Sequence, residues 1–163
     1  MNVRRCQARD VSVVAELLDE ATVWVGERGY EQWPLPFPHE DIAAAIERGE
    51  VYVAELDGEV VATVTLLWND PTYWGDRPAD AAYMHKLAVR RACAGQRIGS
   101  AIVEWADRTA AAADRDFLRL DCLGDNPAIR AYYERLGFEH RGDLVVNNRN
   151  MSIYERPVHT RRD

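Results

Sequence analysis

Two β-rich runs, VYVAEL and EVVATVTLLW, meet at Asp57-Gly58. Asp-Gly between such runs is the strongest short-range signal for a two-residue hairpin, because the favoured turn needs positive φ at both central positions. An antiparallel pair is therefore expected here. Upstream, VRRCQ reads as a short strand. Asp10 is placed to cap a helix through VSVVAELLDEATVWVGERG, in which Val14, Leu17, Leu18 and Ala21 recur at helical spacing and Gly29 ends the run. The segment YEQWPLPFPHE carries three prolines and cannot be regular helix. HEDIAAAIERG follows as a short helix that stops at Gly49.

Downstream, NDPTYWGDRPAD reads as a loop and AAYMHKLAVR as a strand. RIGSAIVEWADRTAAAADR is a long helix, with Ile98, Ile102, Val103, Trp105 and Ala106 as its expected buried stripe. DFLRLDCL is a strand and NPAIRAYYERLG a helix ended by Gly137. FEHRGDLVV and NMSIYER form a terminal antiparallel pair. The order β-α-α-β-β-β-α-β-α-β-β combines hairpins with crossover helices, which defines an α/β (α+β) fold with a mixed central sheet.

At 163 residues the chain is read as a single domain, 1–163. Its 47% apolar and 29% charged content excludes wholesale disorder and fibrous repeats. No run approaches the roughly 20 apolar residues that span a bilayer, and the N-terminus lacks a secretory apolar core. Cys6, Cys93 and Cys122 are odd in number and widely spaced, with no metal-ligand pattern, so no metal is expected and reduced thiols in a cytoplasm fit best. Of 20 basic residues only Lys86 is a lysine; 20 − 1 leaves 19 arginines, the codon bias of a GC-rich bacterial genome. A net charge of −7 argues against nucleic acid as a partner and favours a cationic small molecule.

The most informative stretch is LAVRRACAGQRIGSAIVEWA. A strand runs through a loop with Gly95 and Gly99 into a helix, aiming free backbone N–H groups and the positive helix end at one point, as suits a phosphate or pyrophosphate. It is not a GxxxxGK[ST] loop and lacks a full GxGxxG. A second stretch is DNPAIRAYYERLGF. Asn126 can cap a helix that has Pro127 at its first position, and Tyr132 and Tyr133 lie about 100° apart around it, so one can be core while the other faces a cleft.

Together these stretches resemble the GNAT superfamily of N-acetyltransferases. There, an L-A-V-type strand end precedes [QR]-x-x-G-x-[GA], and some thirty residues later comes N-x-x-A-x-x-x-Y-x-x-x-G-F. This chain has Leu87-Ala88-Val89, Ala94-Gly95-Gln96-Arg97-Ile98-Gly99, then Asn126, Tyr133, Gly137 and Phe138 in register. The resemblance covers nearly the whole chain. It implies a sheet splayed between its two central parallel strands, with acetyl-CoA as co-substrate in the splay. The backbone of Leu87, Ala88 and Val89 would pair with the pantetheine arm. The segment Ala94, Gly95, Gln96, Arg97, Ile98, Gly99 and Ser100 would hold the pyrophosphate, its amides from Gly95 to Ser100 doing the binding. Asn126 would contact the pantetheine, and Tyr133 would protonate the departing thiolate. On this reading Tyr132 packs inward.

The chain departs from the family pattern at Ala94, where Gln or Arg is usual, at Arg97, where glycine is usual, and at Ile129, the family's alanine position. Positions 94 and 97 lie one turn apart, so Arg97 could supply the charge missing at 94, and Arg90 and Arg91 lie nearby. For the general base, His85 alternates with Leu87 and Val89 along the strand and titrates near neutrality. Asp121 is the alternative base or ammonium anchor, while Cys122 reads as a small buried thiol. Trp33, Trp74, Asp70 and Asp76 are the candidate acceptor contacts, since aromatic rings and carboxylates hold cationic amines. The expected activity is acetyl transfer from acetyl-CoA to a primary amine of a small cationic or polar acceptor, by direct attack in a ternary complex. A protein N-terminal or lysine acetyltransferase and a non-catalytic acyl-CoA sensor are the alternatives. No membrane partner is expected, and a homodimer is left open.

Overall fold

The computed structural model describes residues 1–159. They form two compact units: Met1–Leu66 with Lys86–Val103, and Leu67–His85 with the chain from Glu104 onward.

In the first unit, β1 (Asn2–Arg5) pairs antiparallel with β2 (Val51–Leu56), which pairs antiparallel with β3 (Glu59–Leu67). Leu56 faces Glu59 across a two-residue turn in which Asp57 and Gly58 have φ of 53° and 83°. This is the left-handed pair that a primed hairpin turn demands and that Asp-Gly supplies cheaply. Helices α1 (Val11–Gly26) and α2 (His39–Glu47) bury Val14, Leu17, Leu18 and Ile42 with Val51, Val53 and Ala88 in one core cluster, with Trp33 packed against it. Asp10 is not the side-chain cap expected of it. Its carboxylate accepts the Gln7 N–H and both Arg4 terminal nitrogens, an ion pair that outcompetes the cap.

In the second unit, β4 (Ala81–Val89) begins parallel to β5 (Phe117–Leu123), β5 pairs antiparallel with β7 (Arg149–Pro157), and β7 with β6 (Glu139–Val146). The β6–β7 turn places Asn147 and Asn148 at φ of 51° and 58°. Asn tolerates this left-handed geometry better than most residues. Leu118, Leu120 and Tyr154 are fully buried. The stretch read as a loop contains one helical turn, α3 (Pro71–Trp74), because Pro71 starts it without needing its missing N–H. Of the stripe expected on α4 (Ile98–Ala112), Trp105 is only half-buried. Asp107 is buried instead, held 2.9 Å from the Arg156 guanidinium.

The seven strands follow the order β1-β2-β3-β4-β5-β7-β6, mostly antiparallel and flanked by helices, the α/β class that the sequence implies. β4 contributes to both units: it belongs to the second through His85 and to the first from Lys86. Lys86 has φ of 50°. A left-handed residue inside a strand interrupts the pleat, so the simple alternation of His85 with Leu87 and Val89 does not run unbroken through this point. The β4–β5 register runs from Ala81↔Phe117 to Met84↔Leu120 and ends there, while β5 continues pairing with β7 to Leu123.

Candidate active site

Residues 85 and 121 would have been the next β4–β5 pair. In place of a backbone pair, their side chains meet: His85 Nδ1 lies 3.1 Å from Asp121 Oδ1. On its other side His85 Nε2 lies 2.9 Å from Asp70 Oδ2. Asp70 immediately precedes α3, where its backbone carbonyl accepts the Trp74 N–H at 2.9 Å. Three segments distant in sequence thus deliver two carboxylates to one imidazole, all within the second unit.

All three side chains are largely buried. The contacts are short but poorly aligned: Asp70 Oδ2, His85 Nε2 and Asp121 Oδ1 are buried without a hydrogen bond of proper geometry. Charge attraction depends on distance and survives the misalignment, whereas the hydrogen-bonding capacity stays unspent. Burial by itself would lower the imidazole's pKa, but the contacts with Asp121 and Asp70 outweigh it and raise the value to about 9. The resting group is therefore an imidazolium between two anions, with a net charge of −1. Tyr73, on α3, places its ring 5.7 Å from that of His85. Its hydroxyl pKa is raised by burial and by Asp121 and Asp70, so it stays protonated.

These residues also carry the donor set for a divalent cation, with ligand atoms within 4.8 Å of one another. The imidazole, however, turns one nitrogen toward each carboxylate, while a metal needs an unprotonated nitrogen and both oxygens aimed at a single point. The imidazolium sandwich fits the contacts better.

Tyr133 lies on α5 (Pro127–Arg135) and is the more buried of the two tyrosines, between the rings of Tyr132 (5.2 Å) and Phe138 (5.8 Å). The inward partner is thus Tyr133 rather than Tyr132, which is half-buried. Burial, then the neighbouring Cys122, push the Tyr133 hydroxyl well above the usual phenol range, so it keeps its proton. Burial raises the Cys122 thiol to about 12, which makes it a poor nucleophile. Asn126 caps α5: its Oδ1 accepts the N–H groups of Ala128 and Ile129 at 3.2 and 3.3 Å. Its side-chain amide nitrogen takes no part in these two bonds.

In the first unit, β4 ends at Val89 and a 3-10 turn (Arg91–Cys93) leads into the glycine loop. Gly95 and Arg97 have φ of 82° and 61°. Arg97 therefore occupies the left-handed conformation that makes glycine natural at this position, at a cost of roughly 1–2 kcal/mol for a side-chain-bearing residue. Strain of this kind tends to collect at functional sites. The first helical bond runs from the Ala101 N–H to the Arg97 carbonyl at 3.0 Å, so the amides of Ile98, Gly99 and Ser100 precede the helical ladder and point out of the helix N-terminus. The side chains of Ala94, Gln96 and Arg97 are exposed.

The remaining expected acceptor contacts have other settings. Trp74 is buried against Ala81 and Tyr83, with the Arg119 guanidinium 5.1 Å from its ring. Asp76 is exposed, and Trp33 packs on the first unit's core. The pairing of Asp70 with His85 and the place of Tyr73 beside it were not legible in sequence, because no local pattern links positions 70, 85 and 121.

The chain matches the Acetyltransferase (GNAT) family over residues 14–138. It is 35% identical over 142 residues to the uncharacterized N-acetyltransferase YesJ of Bacillus subtilis, covering 82% of this chain and 78% of that protein. A GNAT-family acetyltransferase structure from Listeria monocytogenes superposes with a TM-score of 0.78 at 26% identity, over 96% of this chain and 94% of that one. YncA of Salmonella typhimurium, solved with its cofactor acetyl-CoA, shares the fold at a TM-score of 0.72 and 14% identity, over 100% and 96% of the two chains. The protein belongs to the GNAT family of acetyltransferases and is an acyltransferase. Among the described residues no helix is long and apolar enough to cross a membrane.

Proposed function

We propose that this chain, acting as one catalytic domain, transfers the acetyl group of acetyl-CoA directly to the primary amine of a small cationic or polar acceptor in a ternary complex. The observation that carries this reading is His85 held between Asp70 and Asp121. An acceptor amine arrives as an ammonium ion and must lose a proton before it can attack. The net-negative box attracts that ammonium, and neutral His85 is the group that takes the proton. An imidazole whose conjugate acid has a pKa of about 9 is nearly matched to an alkylammonium near 10, so the transfer costs little. The added positive charge of the acceptor also disfavours the imidazolium and helps His85 enter the reaction as a base.

The amine nitrogen then forms its bond to the thioester carbonyl carbon. Collapse of the tetrahedral intermediate breaks the carbon–sulfur bond; Tyr133 gives its proton to the leaving thiolate, and the second proton shed by the amide nitrogen restores the phenol. The raised pKa of Tyr133 keeps the phenol protonated at working pH but also makes it a weaker acid, so its proton moves to the thiolate together with its replacement from the amide nitrogen. The amides from Gly95 to Ser100 would bind the diphosphate, the Leu87–Val89 backbone and Asn126 the pantetheine. YncA, solved with acetyl-CoA, supports this co-substrate at the level of the fold. The high pKa of Cys122 favours direct attack over an acyl-cysteine route.

The test measures free-thiol release across a panel of small amines as a function of pH. The free enzyme needs neutral His85, so kcat/KM rises about tenfold per pH unit and levels near pH 9. Asp70→Asn removes one anion, lowers the imidazole's pKa and moves the limb down by about one unit. A limb unmoved by Asp70→Asn reports the acceptor's own ionisation and removes His85 from the base role. Tyr133→Phe is expected to lower kcat about 10²-fold with acetyl-CoA affinity retained, while Tyr132→Phe changes kcat little. Equal rates for the two variants would assign the thiolate's proton to another donor.

A further inference from the structure

Three residues of α1, Glu16, Glu20 and Trp24, are spaced four apart and share one helix face. All three engage the segment that leads out of β4 into the glycine loop, within the first unit. Glu16 Oε2 lies 3.8 Å from Arg90 Nη2, a loose and exposed pair of little energetic weight. Glu20 Oε2 accepts the backbone N–H of Arg91 at 2.9 Å. The Arg91 guanidinium lies 4.0 Å from the centre of the Trp24 ring. Arg28 lies 3.7 Å from the same centre and donates to the Trp24 carbonyl at 2.9 Å. Two guanidinium carbons this close to one ring centre cannot share a face, so the indole is sandwiched between the two arginines. From the β3 side, the Arg90 N–H donates to the Val61 carbonyl at 2.8 Å.

The loop that follows has a reason to need such a clasp. Gly95 and Arg97 both hold left-handed conformations, the second at a steric cost. A loop with those dihedrals binds an anion through its amides only while it stays in that form, and every alternative form lowers the competent fraction. Fixing the backbone of Arg90 and Arg91 removes the freedom of the first residues of the loop and leaves fewer to be ordered by the ligand.

We propose that the Glu20–Trp24 face of α1 is a positioning element for the diphosphate-binding loop, with Trp24 holding Arg91 through its ring and Glu20 holding the Arg91 backbone. The proposal rests on the reading that the Gly95–Ser100 amides bind the diphosphate of acetyl-CoA. Trp24 and Glu20 act through the loop and are positioning residues.

The experiment combines calorimetric titration with acetyl-CoA, steady-state kinetics, and hydrogen exchange of amides 91–100. In the wild type, acetyl-CoA is expected to protect the 95–100 amides. Trp24→Ala is expected to weaken acetyl-CoA binding and raise its KM about fivefold, the size of a cation–π contact, with kcat at saturation held within about twofold. Exchange of amides 91–97 should be faster in that variant before any ligand is added. Trp24→Phe retains an aromatic face and recovers most of the affinity, which a merely space-filling role would not require. Glu20 is half-buried, and its isosteric replacement Glu20→Gln keeps the shape of the side chain and is expected to show a smaller loss in the same direction. If acetyl-CoA protects the loop but Trp24→Ala and Glu20→Gln bind it as the wild type does, the clasp is overturned alone. If acetyl-CoA leaves amides 95–100 unprotected in the wild type, the diphosphate reading falls and the clasp with it.

Discussion

Among the cations that the second unit sets between pairs of carboxylates, Arg119 and His85 behave oppositely. Arg119 donates through Nε to Glu155 at 2.7 Å, and through Nη1 to Asp80 and to the Tyr83 hydroxyl, each at 2.9 Å. Its guanidinium lies 5.1–5.6 Å from the ring centres of Trp74, Phe117 and Tyr83. His85 lies as close to Asp70 and Asp121, but its contacts are off-axis and leave buried oxygens unsatisfied. A guanidinium cannot give up its proton at any pH where proteins function, and its fork matches carboxylate geometry. An imidazole can exchange its proton, and unspent hydrogen-bonding capacity is what an incoming ligand can use. The first arrangement builds the framework and the second is equipped for chemistry. Charge count alone would not separate them; alignment and titratability do.

The largest effect that would sharpen this contrast is on stability. Arg119→Met leaves Glu155 and Asp80 without their buried partner and is expected to cost about 3–5 kcal/mol, read as the shift in a denaturant midpoint. His85→Gln is expected to do the reverse: kcat/KM falls about 10²-fold, while the midpoint measured above pH 9, where wild-type His85 is already neutral, falls much less than in Arg119→Met. Should His85→Gln unfold the chain as thoroughly as Arg119→Met does, both arrangements are framework and the contrast is broken.

A subtler separation comes from pH. His85 has a folded pKa of about 9 against an ordinary value of 6.5. A raised folded pKa means the imidazolium's stabilisation is complete below pH 6.5 and is lost as pH rises toward 9. The melting temperature of the wild type should therefore decline across that window. In His85→Gln this part of the decline should vanish, because Arg119 keeps its charge throughout. A decline of the same size in the variant would assign it to other groups and remove the distinction between the two sites.

The elements were readable because their causes are local. Asp57-Gly58 sets a hairpin by the φ values it tolerates, and Pro127 after Asn126 starts a helix and caps it with its own neighbour. The glycine loop and the Asn126–Tyr133 spacing are likewise fixed within short stretches, which is why the family could be read from them. The sequence also indicates that position 97 is unusual, but only the backbone shows that Arg97 sits where φ is 61° and bears a steric cost.

The sequence by itself determined the order of elements, the turn chemistry, the family motifs and the residue types available for catalysis. Tertiary structure decided which of those residues meet. Asp70 and His85 stand fifteen positions apart and Asp121 another thirty-six beyond. Their convergence depends on the β4–β5 register stopping at Met84↔Leu120, and on one turn of helix at Pro71–Trp74 setting the backbone beside Asp70. The same holds for Tyr133 being buried where Tyr132 is only half so, and for Trp74 joining a core beside Arg119. Local propensity acts over a few residues of chain. Charge pairing and burial act through space between segments that only folding brings together, so no window of sequence contains them.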